Sequence, residues 1–183
     1  MVKILRHDFR DILTSEIISN TGGIIAGSLL ALAANKLELI PGLLILIPGF
    51  LEMKGSIGGS LAARLSSGLV IGAVKPRIHW NHLIKGNVLA TMFLGIVVSA
   101  LLGFFVYASM YFILGINNIS IILISLLSGV IATAISIPLI IYHTFKIFKE
   151  GHDPNNIMGP YVTAEGDILS IISILIAIMV IVA

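Results

Sequence analysis

Five long apolar stretches occupy most of this chain and limit what it can fold into. Hydrophobic residues fill 57% of the 183 positions, and each stretch exceeds about 20 residues, the length at which a helix crosses the hydrocarbon core of a bilayer. Backbone groups in lipid must be paired internally, so such stretches fold as helices. The sequence therefore predicts an all-α membrane protein with five transmembrane helices. The predicted spans are residues 12–34, 39–73, 83–114, 120–148 and 154–182.

The composition excludes several other classes of protein. Only 11% of the residues are charged, against about 25% in a soluble domain, so this chain would aggregate in water. The absence of cysteine excludes disulfides, thiolate metal sites and cysteine nucleophiles. The sequence shows no catalytic triad, no phosphate-binding glycine loop and no zinc-ligand spacing among its histidines. We expect neither an enzyme nor a resident cofactor, and no nucleic-acid partner.

The N-terminal polar segment leads into an apolar run that is too long for a cleavable signal peptide and has no small-residue cleavage site. No polar stretch is long enough to form a soluble domain. We therefore expect residues 1–183 to form a single integral membrane domain without a soluble regulatory domain.

Lysine and arginine predict the orientation, because they concentrate in cytoplasmic loops. If the N-terminus is inside, the outer segments hold Lys36 alone. The cytoplasmic segments then hold Lys3, Arg6, Arg10, Lys75, Arg77, Lys85, Lys146 and Lys149. The N-terminus is therefore predicted inside and the C-terminus outside, in a multi-pass protein surrounded by lipid. The short loops and the lack of cysteine suit a prokaryotic plasma (inner) membrane.

The second span combines helix breakers with charges. Pro41, Pro48 and the glycines at 55, 58 and 59 predict a helix that is broken within the membrane, which is tolerated where the backbone is packed in protein or lines a wet cavity. Two interpretations of its charges stay open. In one, Glu52 and Lys54 neutralise each other near a helix end; in the other, the segment lines a permeation path.

The fifth span carries a polar stripe. Asp153 followed by Pro154 predicts a capped helix start. The spacing then places five residues on one helix face: Asn156, Pro160, Thr163, Asp167 and Ser170. Pro160 frees the carbonyl of Asn156, so the stripe presents carbonyl, hydroxyl and carboxylate oxygens, the hard ligands that Mg²⁺ and Ca²⁺ prefer. We expect a metal pathway along this face.

Other charges in the spans are weaker candidates. One Asp167 per chain is too little charge for a divalent ion, whereas two across a dimer axis would match it. Glu165 points to the opposite face and is expected to pair with Lys54 or Arg64, or to contribute to the pore. In the first span, Glu16 and Asn20 share a face with Gly23 and Gly27 and are candidates for the cytoplasmic mouth.

Small residues in two further spans are expected to serve helix packing, because they let backbones approach closely. They are Gly95, Ser99 and Gly103 in the third span and Ser125, Gly129 and Thr133 in the fourth.

Two of these motifs resemble a known family. Asp153-Pro154-Asn155-Asn156, Pro160, Thr163 and Gly166-Asp167 resemble the last helix of MgtE-type magnesium transporters and of the related solute carrier family 41. Leu51-Glu52-Met53 and Ala63-Arg64-Leu65-Ser66 are similar to the second helix of the latter. The resemblance implies a five-helix membrane domain that works as a homodimer and conducts Mg²⁺, with Mn²⁺, Co²⁺ and Ca²⁺ as other candidate ions. It also implies that Asp167 and Thr163 line the pore and that Asp153 and Asn156 lie at its cytoplasmic entrance.

The sequence departs from the family pattern in several places, and alternative functions stay open. The large cytoplasmic region with paired CBS domains that the MgtE type carries has no counterpart in this sequence, and Pro48-Gly49-Phe50 and Glu165 depart from the family pattern. The alternatives are a non-conducting membrane interaction subunit and a carrier for another small solute. The choice between a channel and an ion-coupled carrier stays open.

Overall fold

The computed structural model describes residues 2–38, 40–77 and 80–182, and these residues form a bundle of five helices. The helices are α1 (Val2–Glu38), α2 (Leu43–Val70), α3 (His82–Leu114), α4 (Ser120–Lys149) and α5 (Pro154–Ile181). No strand occurs in the described part of the chain. The prediction of an all-α chain is confirmed for these residues.

Four of the helices are long and apolar enough to cross a membrane: α1, α3, α4 and α5. Most of the apolar surface of α1 and α3 is not covered by the rest of the chain, as expected for helices that face lipid. Helix α2 has the same 28-residue length as α5 but carries Glu52, Lys54 and Arg64. The fold is therefore that of a multi-pass integral membrane protein, in which the crossing of α2 stays a prediction.

Helix α5 lies at the centre of the bundle and packs against α1, α2 and α4, whereas α1 and α2 barely touch each other. Helix α1 runs parallel to α5, since Ser15 contacts Asn156 at one end and Gly22 meets Ala164 further along. Helix α2 runs antiparallel to α5, with Gly58 against Val162. The two helices that flank α5 thus leave a gap between them.

These directions bring the start of α1, the end of α2, the start of α3, the end of α4 and the start of α5 to the same end of the bundle. Six basic residues of the described loops and helix ends lie there: Arg10, Lys75, Arg77, Lys85, Lys146 and Lys149. This clustering agrees with the positive-inside argument, and the orientation itself stays a prediction.

Helix α2 continues without interruption from Leu43 to Val70, so the predicted Pro/Gly break is wrong. Pro48 lies in the second turn, where it removes only the hydrogen bond that the carbonyl of Leu44 would accept. Gly58 serves close packing instead, since a Cβ there would lie 2.7 Å from Cγ1 of Val162. The chain bends just before the helix, at Gly42, whose φ of 91° suits glycine.

Small residues also bring α3 and α4 together, as predicted. Gly95 faces Thr133, Ser99 faces Gly129, and Ser125 donates a hydrogen bond of 2.6 Å to the carbonyl of Ser99. Gly23 and Gly27 of α1, in contrast, do not pack against another helix of the described chain. A Cβ on Gly23 or Gly27 would meet nothing within 4 Å, so this face of α1 is uncovered by the described chain.

The buried apolar side chains form two clusters, one toward each end of the bundle. The first includes Phe50, Met110 and Ile174, and the second includes Leu65 and Phe145. Between them, at mid-depth, the buried residues of α2, α4 and α5 are polar or small. This polar layer separates the two cores.

Candidate cation site

An open groove lies between α2 and α5, with a volume of about 660 Å³. Its walls are formed by Pro48, Leu51, Glu52, Gly55 and Ser56 of α2 and by Thr163 and Asp167 of α5. Three of the residues singled out from sequence, Glu52, Thr163 and Asp167, are therefore brought to one place although 111 positions separate Glu52 from Thr163. The groove is the candidate functional site.

The two walls approach closely because glycines line their contact. A Cβ on Gly55 would lie 3.9 Å from Oγ1 of Thr163, and a Cβ on Gly166 would lie 3.7 Å from Cβ of Lys54. Larger side chains at these positions would push α2 away from α5. The glycines therefore set how near the oxygen atoms of the two walls come to each other.

The oxygen atoms of the groove face outward and suit a hard cation. Glu52 and Thr163 are exposed and Asp167 is half-buried. The hydroxyl of Thr163 donates to the carbonyl of Gly159 at 3.2 Å, so its lone pairs remain available to a cation or its water shell. Among the described residues, no side chain pairs with the carboxylate of Glu52 or of Asp167. Carboxylate and hydroxyl oxygens of this kind are ligands for Mg²⁺ and Ca²⁺.

One copy of the chain does not by itself build a dedicated metal cage. No group of three or more His, Cys, Asp or Glu side chains that could hold a metal occurs among residues 2–38, 40–77 and 80–182. The groove supplies two carboxylates and two hydroxyls. A second copy would be needed to double that set.

Two residues at the start of α5 have local roles in the structure. Asp153 caps the helix, accepting hydrogen bonds of 2.9 Å from the backbone and side-chain nitrogens of Asn155. The carbonyl of Asn156, freed by Pro160, accepts a long bond of 3.4 Å from Ser15 of α1. Neither residue lines the groove. Their assignment as metal ligands is untested, and they lie at the basic end of the bundle.

The remaining sequence candidates also lie outside the groove lining. Ser170 is buried, and its hydroxyl has no hydrogen-bond partner in the described chain. Pro160 is half-buried one turn before Thr163. Glu16 and Asn20 are exposed on α1. The stripe predicted on α5 is therefore split, with only Thr163 and Asp167 among the residues that line the groove.

The charges of the second span separate to opposite sides of α2. Glu52 faces the groove, while Lys54 is only 3% exposed and donates a 2.8 Å hydrogen bond to Oγ1 of Thr133. The interpretation in which Glu52 and Lys54 neutralise each other is therefore wrong. Glu165 instead lines the same small cavity as Lys54, and their pairing stays a prediction.

Sequence reasoning missed two parts of this arrangement. Ser56, one turn after Glu52, was a detectable groove residue because the i, i+4 spacing places it on the same face. Ser136, one turn from Thr133 on α4, lines the cavity around Lys54, and no local pattern in the sequence points to it.

Comparison with known families decides the identity. A family model described as MgtE, divalent cation transporter, matches residues 47–177, well over half of the chain. The chain belongs to the MgtE family. The match includes both walls of the groove, from Pro48 to Asp167, and lies entirely beyond α1. No curated protein and no solved structure matched the chain.

Several conclusions follow from membership of the MgtE family. The family consists of transporters rather than enzymes, its substrates are divalent cations, and it acts in membranes. The family resemblance inferred from the motifs of the second and fifth spans is confirmed. The groove between α2 and α5 is thus a site on a divalent cation transporter.

Proposed function

We propose that this MgtE-family chain transports Mg²⁺ as a homodimer, with the α2/α5 grooves of two copies facing each other across the pore. The observation that carries the proposal is the meeting of Glu52, Thr163 and Asp167 in one open groove. Two facing grooves supply four carboxylates and four hydroxyls. The two Asp167 side chains alone match the charge of one divalent ion.

The size of the groove suits a hydrated ion. Mg²⁺ binds six ligands in a near-octahedral shell and gives up its waters reluctantly. Six waters fill roughly 180 Å³ at about 30 Å³ each. The groove, at about 660 Å³, has room for that shell. In the proposed mechanism the Asp167 carboxylate accepts hydrogen bonds from the waters of the ion rather than replacing them.

The surface around the groove is not covered by the rest of the described chain, which supports the proposal that a second copy packs against it. Ser56 and Ser60 of α2 are exposed, a Cβ on Gly59 would meet nothing within 4 Å, and the Gly23 and Gly27 face of α1 is open. A charged groove facing lipid is costly, whereas small residues allow close helix association. We propose that α2 crosses the membrane in this dimer and that its partner shields the groove.

The proposed pathway opens inward at the basic end of the bundle. Asp153 and Asn156 lie at that end, at the start of α5, and would form the cytoplasmic entrance if the N-terminus is inside. An ion entering there would pass Thr163 before Asp167. The prokaryotic plasma membrane and the N-in orientation belong to the same proposal.

Ligand-dependent stability tests the proposal. The purified protein is heated in detergent with Mg²⁺, Mn²⁺, Co²⁺, Ca²⁺ or Na⁺, and Asp167→Asn is measured in parallel. An ion that binds only the folded state stabilises it by about 2.7 kcal/mol at a hundred times its Kd. We expect a rise of the melting temperature with divalent ions, largest with Mg²⁺, that is lost in the variant.

Three outcomes would contradict the proposal. An equal response in Asp167→Asn would place the cation elsewhere. A wild type that ignores every divalent ion, in a preparation that is folded, would favour a non-conducting interaction subunit. Stabilisation by an organic solute alone would favour a carrier of another kind.

A further inference from the structure

A buried polar cluster lies directly behind the wall of the groove. Lys54, only 3% exposed, donates to Oγ1 of Thr133 at 2.8 Å. The charge of Glu165 interacts with the ammonium of Lys54. These residues come from α2, α4 and α5 and lie in the polar layer between the two apolar cores. Ionisable groups at this depth are costly and are seldom retained without a role.

Two oxygen atoms of the cluster lack a partner. Oε2 of Glu165 and Oγ of Ser136 are buried, and neither has a hydrogen-bond partner among the described residues. Ser136 is 7% exposed. Burying such an atom without a hydrogen bond is costly, so a water molecule commonly provides the missing bond.

A small cavity is lined by both residues. Its volume is about 10 Å³, and its lining includes Lys54, Thr133, Ser136 and Glu165. A cavity of about 10–15 Å³ holds one water if two to four polar groups reach it. The ammonium, the serine hydroxyl and the free carboxylate oxygen provide those groups. The site therefore suits a single bridging water.

The buried polar cluster and the groove lie on opposite sides of the contact between α2 and α5. Lys54 follows Glu52 by two residues, and Glu165 precedes Asp167 by two residues, so each pair points to opposite faces. Between them, Cβ of Lys54 would lie 3.7 Å from a Cβ on Gly166, the neighbour of Asp167. A change in the spacing of Lys54 and Glu165 must therefore move Asp167 against Glu52.

We propose that Lys54 and Glu165, bridged by one water held by Ser136, form a charge clamp that sets the α2–α5 spacing and so positions Asp167. The inference rests on the proposed function of the groove. A buried ion pair adds little net stability compared with apolar side chains of the same volume. Its contribution is expected in geometry, so Lys54 and Glu165 are positioning residues that do not touch the ion.

The Mg²⁺ affinity of clamp variants tests the positioning role. The Kd is read from Mg²⁺-dependent melting of the purified protein for wild type, Glu165→Gln, Lys54→Met and the exchange Lys54→Glu/Glu165→Lys. We expect each single variant to raise the Kd at least tenfold and the exchange to recover a large part of that loss. Ser173→Ala, a buried serine on α5 that has no partner, is the matched control and keeps the wild-type Kd.

Because a buried charge left alone can unfold the protein, Thr133→Val is a milder variant. It removes the hydroxyl that accepts from Lys54 and keeps both charges. We expect a smaller rise of the Kd, about threefold. Single variants that melt earlier but keep the wild-type Kd would overturn the clamp, because they would show a purely structural role.

A second measurement reads the spacing without Mg²⁺. The chain has no cysteine, so Gly58→Cys/Val162→Cys introduces one pair across α2 and α5, where a Cβ on Gly58 lies 2.7 Å from Cγ1 of Val162. With copper–phenanthroline as oxidant, we expect its disulfide to form several-fold more slowly when Glu165→Gln is added. The pair Gly103→Cys/Ser125→Cys, between α3 and α4, is the control and keeps its rate.

The two measurements separate the clamp from the groove. An unchanged rate of disulfide formation in the Glu165→Gln background would overturn the clamp whatever the metal data show. A wild type that does not respond to Mg²⁺ would overturn the cation site and the positioning role, and a slowed disulfide would then still establish the contact between the helices.

Discussion

At the scale of single residues, two pairs of charges show how a helix sorts its side chains. Glu52 and Lys54 are two positions apart, and so are Glu165 and Asp167. Two residues correspond to about 200° around a helix, so one member of each pair faces the groove and the other faces the interior. The sequence predicted this separation for Glu165 and Asp167. Which of the two sides of the helix faces the interior could be known only from the positions of the other helices.

The hydroxyl of Thr163 leads to the first prediction. Thr163→Val keeps the shape of the side chain and removes the oxygen that faces the groove. We expect uptake of Mg²⁺ at a fixed low concentration to fall about three- to tenfold, because a neutral hydrogen bond contributes about 0.5–1.5 kcal/mol and 1.4 kcal/mol is a factor of ten.

The control for this change is Thr21→Val on α1. Its hydroxyl donates to the carbonyl of Ile17 at 2.8 Å in the same way, but it lies outside the groove. Uptake into liposomes is measured for both variants. Equal uptake by Thr163→Val and the control would remove Thr163 from the pathway.

Glu52 leads to a second prediction at this scale. Glu52→Gln retains size and removes charge, so the Kd for Mg²⁺ is expected to rise about tenfold, since a hydrogen bond to a charged group contributes about 1.5–3 kcal/mol. The Kd is read from Mg²⁺-dependent melting. Glu150→Gln, an exposed residue 4.0 Å from Lys146, is the control. A Kd that moves equally in both variants would indicate a general charge effect rather than a site.

At the scale of helices, the sequence predicted where the elements lie but not how their glycines are used. The spans agree with α3, α4 and α5 to within a few residues because long apolar runs with capped ends are strong signals. The glycines and Pro48 of α2 were interpreted as a break. Gly58 instead lies against α5, a fact that depends on Val162, more than 100 positions away.

The contact between α2 and α5 leads to a third prediction. Gly58→Val places side-chain atoms where Val162 already lies, and overpacking of this kind typically destabilises by about 1–3 kcal/mol. We expect a lower melting temperature and weaker Mg²⁺ binding together, because α2 must move away from α5.

Gly86→Val on α3 is the matched control, since a Cβ there would meet nothing within 4 Å. It carries the same change in helix propensity without the clash. Both variants are melted with and without Mg²⁺. A Gly58→Val protein that binds Mg²⁺ as well as the control would show that the spacing of the groove walls does not matter for the ion.

At the scale of the whole molecule, one copy presents one groove, and the proposed dimer brings two together. The groove opens to one side, and the small and polar residues beside it on α1 and α2 are uncovered. Composition alone predicted the membrane, and the resemblance of two motifs predicted the family. The position of the groove between α2 and α5 follows from helix packing, which no single stretch of the sequence contains.

The dimer leads to a fourth prediction. In the chain without cysteine, Ser56→Cys places one thiol in the groove, where a short bifunctional thiol reagent is expected to join two copies in membranes. Leu89→Cys places a thiol on an exposed, lipid-facing part of α3 as the control. Cross-linked dimers are counted on a denaturing gel. Equal cross-linking at both positions would contradict a dimer through the groove.

The most direct test of the pathway is Mg²⁺ flux into liposomes that contain the purified protein, compared for wild type, Asp167→Asn and Glu150→Gln. The change at Asp167 keeps the shape of the side chain and removes the charge that two copies present to the ion. We expect flux of the wild type and of Glu150→Gln to exceed that of empty liposomes, and flux of Asp167→Asn to fall to their level while the protein stays folded. Wild-type flux in a folded Asp167→Asn protein would contradict the account.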